Sequence, residues 1–169
     1  MVFFFILLEI FLTFCQNDNK LIFAMIHFRH GARSPVMNGN KDTFGEKWDQ
    51  PEDLTGLGER MHYLLGYRNR IRYVIEKKLL SEKYNPDELV IVTTGKNRTI
   101  RSVSSHLQGL YPQDKNLGNI LNEKQLKNSN PPIDLSCKEI KEEISELKNS
   151  ALPNSMTLIP FETGYSARY

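Results

Sequence analysis

Cysteine is scarce in this chain: Cys15 and Cys137 are the only two, so no disulfide framework holds the fold together. Net charge is nearly absent as well. Twenty-two basic side chains stand against 20 acidic ones, a balance of +2, too even to argue for a nucleic-acid footprint or a membrane-adsorbing surface. Any basic character that matters must therefore be local. No apolar run reaches the roughly 20 residues of a membrane span; the longest, "MVFFFILLEIFLTFC", ends at Cys15. No lysine or arginine precedes Lys20, and there is no internal repeat.

What is present is the composition of an ordinary globular domain, with 40% hydrophobic and 25% charged residues among 169. One domain is the natural count. The N-terminal apolar run stops at the polar "QNDNK", which suits a signal peptide over residues 1–16 and a mature domain over 17–169. An uncleaved anchor or a buried strand is the alternative for this run. If Cys15 leaves with the signal, Cys137 remains as a lone thiol, either packed in the core or paired with a cysteine from elsewhere.

Residues 21–28, "LIFAMIHF", form a nearly continuous apolar run of strand length, as expected for a strand buried on both faces of a parallel sheet. A long Pro-, Gly- and Asn-rich loop is expected over 34–53. From Thr55 to Leu80 the apolar positions Leu57, Met61, Leu64, Leu65, Ile71, Val74, Ile75 and Leu79 recur at helical spacing, with Arg60, Arg68, Arg70 and Arg72 on other faces. A second buried strand is expected over 89–94, "LVIVTT", so strand, helix and strand would make a right-handed parallel βαβ unit. A helix over 99–110 follows, with Val103, Leu107 and Leu110 on one face. Residues 111–133 read as a connection. Ser136 and Glu139 make a capping-box pattern at the start of a helix over 136–148, and a further strand is possible over 156–159.

Both expected strands run into cations: "FRHGARSP" after the first and "GKNRTIRS" after the second. The C-terminal edge of a parallel sheet is where ligands bind. Arginine offers a planar fork of donors that matches phosphate oxygens. Arg29 and Arg33 flank His30, Gly31 and Ala32 leave room for close approach, and Arg98 would arrive from the second strand. A phosphoryl group held there would face an imidazole able to attack phosphorus. The flanking cations disfavour further positive charge on that ring, which predicts activity at acidic pH. A solvated basic turn is the ordinary alternative.

"RHGARSP" (residues 29–35) resembles the signature of the histidine acid phosphatases, the secreted or lysosomal branch of the histidine phosphatase superfamily. The similarity continues through "LTGLGERMHYLLGYRNRIRY" (54–73) and "RTIRSVSSHLQGLYP" (98–112). The resemblance implies an α/β fold of phosphoglycerate-mutase type, a mostly parallel sheet with flanking helices. It would be incomplete here, with a core over 20–112 and part of an inserted helical cap over 113–169. It implies a phosphate monoester substrate, His30 as the nucleophile, and Arg29, Arg33 and Arg98 as phosphate ligands, with no metal or cofactor. The family's later His-Asp pair, whose aspartate protonates the leaving alcohol, has no match. The four histidines are followed by Phe28, Gly31, Tyr63 and Leu107. The family's aspartate-containing turn before the second arginine is also replaced, by "TTGKNRT". The sequence therefore reads as the N-terminal part of a longer fold.

Two rival functions remain: a phosphate-binding module that has lost its proton donor, and a mutase moving a phosphoryl group within one substrate. The signal-like N-terminus argues against the second. His27 is expected to pack inside the sheet, and His62 and His106 are expected to be structural or solvent-facing. Neither of those two gives a metal-ligand spacing with His30. Asn97, Arg98 and Thr99 spell a glycosylation sequon, expected to be unmodified because a glycan would crowd Arg98. Gly95 and Lys96 resemble a phosphate-binding loop only superficially, since the upstream glycine is missing.

Overall fold

Two helices that cross at glycines organise the fold. The computed structural model describes residues 20–36, 50–113 and 119–164. The expected signal peptide and most of the 34–53 loop therefore lie outside the described residues. Helix α1, Gly56–Asn69, begins where extended Thr55 accepts the Gly58 N–H on its hydroxyl, satisfying one of the donors that a first turn leaves free. After Asn69 the coil widens into a π-helical stretch, Arg70–Glu76, so the expected helix over 55–80 is shorter and changes pitch. Helix α2, Asn97–Leu110, starts two residues before its expected boundary.

The α1–α2 contact is backbone on backbone. A β-carbon on Gly66 would collide with the His106 carbonyl, and one on Gly109 with the Tyr63 carbonyl. The close approach reverses the orientation expected for α1. Its inward face is Gly58, His62, Gly66 and Asn69, whereas Leu57, Met61 and Leu64 are exposed; in the following π-helical stretch Ile71 and Ile75 are exposed and Val74 joins the core. Helical periodicity identifies a stripe but not which side a neighbour can approach, and here only the glycine side allows it. Arg70, expected on a solvated face, is buried. Its guanidinium donates to the Leu110 carbonyl at 3.1 Å, satisfying one of the acceptors left free at the end of α2.

The apolar core consists of Val74, Val103, Leu107, Leu110 and Tyr111, with Phe28, Leu89, Ile91, Ile159 and Phe161 packed around it. Strand β1, Val92–Thr94, pairs in parallel with β2, Glu162–Gly164, with Thr93 opposite Thr163. The parallel arrangement is as expected, but the partner is not. Residues 21–28 join no ladder, and Ile22, Phe23, Met25 and Ile26 are exposed. His27 is exposed too, contrary to the expectation that it packs inside a sheet. The segment instead faces residues 88–92 across an apolar cleft of about 570 Å³. Buried-strand composition predicts burial only where neighbouring strands and covering layers exist. The strand expected over 156–159 forms further along, at 162–164.

The second half carries α3, Glu123–Lys127, inside the expected connection, and α4, Lys138–Leu147. The capping box forms at the former, between Asn122 and Gln125. At α4 the flanking residue is Cys137, without a side-chain cap, and the Ser136 N–H is taken by the Asp134 carboxylate at 2.9 Å. Cys137 itself is exposed, not packed in the core.

Candidate active site at the His30 loop

His30 follows the extended segment directly and is half-buried. Its Nδ1 lies 2.8 Å from the Gly31 carbonyl oxygen. A carbonyl only accepts, so Nδ1 carries the hydrogen and the lone pair of the neutral ring lies on Nε2. Gly31 is buried against α1, and a β-carbon there would stand 2.5 Å from the Gly58 carbonyl oxygen. Its N–H donates to the Ser102 hydroxyl at 3.1 Å, and that hydroxyl donates to the Arg98 carbonyl at 2.7 Å. One buried serine thus ties the His30 loop to the first turn of α2. On the other side of His30, the Arg29 carbonyl accepts from His62 Nε2 at 3.0 Å.

The segment after the loop is held in the same manner. Ser34 N–H donates to the Asp53 carbonyl and Thr55 N–H to the Ala32 carbonyl, so residues 32–35 run antiparallel to 52–55. Arg101 of α2 binds Asp53 at 2.5 Å and Glu59 at 2.6 Å. The bond to Glu59 foremost, and then Asp53, raise the Arg101 pKa above its ordinary value. That guanidinium joins the loop end, α1 and α2.

Of the expected phosphate ligands, Arg29 is exposed and Arg33 donates to the Ser34 carbonyl at 2.7 Å. Arg98 pairs with Glu52 at 3.4 Å, and its Nε is buried without a partner among the described residues. No hydrogen bond or ion pair among the described residues joins these guanidiniums to the His30 ring; the backbone links through Ser102 bring the segments together. Ser102, Arg101, Glu52 and Asp53 escaped sequence reasoning. The available signal was Ser102 at four residues beyond Arg98, on one helix face.

His62 and His106 are both buried, flanking Phe28, whose ring stacks on His106 at 4.7 Å and meets His62 at 5.1 Å. Burial pushes the His106 imidazole down to about 4, with nearby His62 adding to the effect. Burial also lowers His62, against the pull of its bond to the Arg29 carbonyl. Asn69 Nδ2 lies 3.3 Å from His106 Nε2. Among the described residues no group of three His, Cys, Asp or Glu side chains could hold a metal ion, and no helix is long and apolar enough to cross a membrane.

The chain belongs to the histidine phosphatase superfamily (branch 2), whose sequence profile matches residues 36–163. That match begins immediately after "RHGARSP" and includes Arg98, so the fold class is the α/β class of that family. The chain is similar to lysosomal acid phosphatase of Xenopus laevis, 38% identical over 100 residues that cover 58% of this chain and 22% of the relative. It is also similar to prostatic acid phosphatase of Homo sapiens, 35% identical over 112 residues covering 62% of this chain and 28% of the relative. The chain thus spans only about a quarter of the length of these relatives. Among solved structures it is similar to the phytase of Citrobacter braakii, with a TM-score of 0.43 and 21% identity over 59% of this chain and 31% of that one.

Proposed function

We propose that this chain carries the nucleophile and phosphate-binding part of an acid phosphatase that acts on phosphate monoesters in a secreted or lysosomal setting. The observation that carries the reading is the His30 ring, whose Nδ1 lies 2.8 Å from the Gly31 carbonyl oxygen, which leaves Nε2 as the ring nitrogen available to attack. Nε2 attacks phosphorus, a P–N bond forms, the ester P–O bond breaks, and the departing oxide takes a proton from water. Water then attacks phosphorus, the P–N bond breaks, and inorganic phosphate leaves with the imidazole restored. Arg29, Arg33 and Arg98 hold the equatorial oxygens, where fixed cations stabilise the charge of the transferring group. The relatives named acid phosphatases support this reading, as does the family to which the chain belongs.

A second reading is a phosphate-binding module without turnover, favoured by one observation: no histidine of the chain is followed by aspartate. Without that proton donor an alkoxide is a poor leaving group, whereas an aryl oxide leaves unassisted. Turnover of an aryl phosphate at pH 5, abolished by His30→Ala and much slower on an alkyl phosphate, is the result expected of the enzyme. Binding of inorganic phosphate with no turnover of either ester supports the module. Turnover unchanged by His30→Ala contradicts the nucleophile assignment.

A further inference from the structure

The two peptide groups that flank His30 are each held by a buried side chain from a different helix. The Arg29 carbonyl, on the N-terminal side, accepts from His62 Nε2 of α1 at 3.0 Å. The Gly31 N–H, on the C-terminal side, donates to Ser102 Oγ of α2 at 3.1 Å. His62 and Ser102 are 4% and 1% exposed, so water does not substitute for either partner. A mid-helix serine that bonds the carbonyl four residues back is ordinary, and Ser102 does so to Arg98 at 2.7 Å. Its second bond is the unusual one, because it crosses 71 residues of sequence to the His30 loop.

We propose that His62 and Ser102 are positioning residues that clamp the backbone on either side of His30 and so fix its ring relative to the first turn of α2. The proposal rests on the reading of His30 as the nucleophile. The geometry explains why each side chain is polar at a buried position. An acceptor-only carbonyl at residue 29 requires a donor opposite, which the His62 ring supplies. The hydroxyl of Ser102 must accept and donate at once, as only a hydroxyl among small side chains does. Phe28 and His106 pack against the His62 ring, holding Nε2 toward the carbonyl. Losing either clamp frees one of the two backbone hinges about which the ring turns, and a displacement of about 1 Å at a reacting atom costs about 100-fold in rate.

The test uses the full chain with ¹⁵N-labelled histidine and reads the His30 ring by NMR, which reports the protonated nitrogen whether or not the chain turns over. In the parent protein Nδ1–H is expected. His62→Phe, which keeps an aromatic ring without the donor, and Ser102→Ala, which removes one atom, should each shift His30 toward the Nε2–H form that free imidazole prefers in water. His62→Gln, which restores an N–H at the same reach, should recover the parent signature. Where aryl phosphate turnover is measured, the two damaging variants should lose about 10- to 100-fold in kcat with little change in KM. A parent-like His30 signature in both variants, with only the melting temperature lowered, overturns the proposal. Failure of the nucleophile reading shows differently, as turnover that survives His30→Ala.

Discussion

Gly31 has no room for a β-carbon, because the Gly58 carbonyl oxygen would lie 2.5 Å away and the three nearest atoms are all Gly58 backbone. Gly31→Ala must push the His30 loop off α1, and overpacking against rigid backbone costs roughly 1–3 kcal/mol; a urea midpoint lowered accordingly checks this. Glu52 raises a different question, since its carboxylate pairs with Arg98 at 3.4 Å while remaining 44% exposed. Exposed pairs contribute roughly 0.2–1 kcal/mol, so Glu52→Gln should barely change stability. It should free Arg98 for another anion and tighten inorganic phosphate binding by roughly 1.4- to 5-fold, the factor equivalent to that energy. Calorimetric titration with phosphate measures it, and weaker binding would mean that Glu52 orients Arg98 instead of competing for it.

At the scale of elements, the α1–α2 crossing depends on Gly66 and Gly109, each backed by a carbonyl of the opposite helix. Ala exceeds Gly in helix propensity by about 1 kcal/mol, so Gly66→Ala would stabilise an isolated helix. Here the collision with the His106 carbonyl should outweigh that gain, and a lowered melting temperature is expected for Gly66→Ala. These elements also show what the sequence makes legible. The α2 face of Val103, Leu107 and Leu110 and the start of α1 near Thr55 follow from local periodicity, and both are found. The orientation of α1 does not, because its inward face is chosen by glycines that meet another helix rather than by its apolar stripe. Residues 21–28 fail for a related reason: composition marks a strand, but a ladder needs a partner, and β1 takes 162–164. For the candidate site, His30 and the three arginines stand out in the sequence as chemically unusual residues, whereas Ser102 and Arg101 act through contacts across 40 residues and more.

For the whole molecule, the buried histidines couple stability to pH. His106 has its pKa pushed down to about 4 in the folded chain against 6.5 as the ordinary value, because burial disfavours its charged form. As pH falls from 6.5 toward 4 the unfolded chain takes up a proton that the folded chain refuses. Stability present above pH 6.5 is therefore lost progressively down to about pH 4, by roughly 3 kcal/mol at most, with His62 acting in the same direction. Urea midpoints should fall between pH 7 and pH 4.5, and His106→Leu should flatten that slope; an unchanged slope would place the pH dependence elsewhere. An acid phosphatase built on this fold would work where this part of its core is weakened. The step proposed for His30, attack on phosphorus, is open to one direct measurement. Incubation at pH 5 with an aryl phosphate labelled at phosphorus, followed by a rapid quench, should leave a covalent label that is stable to base, labile to acid and absent from His30→Ala. A label that persists in His30→Ala, or no label on a chain that binds inorganic phosphate, would contradict the account.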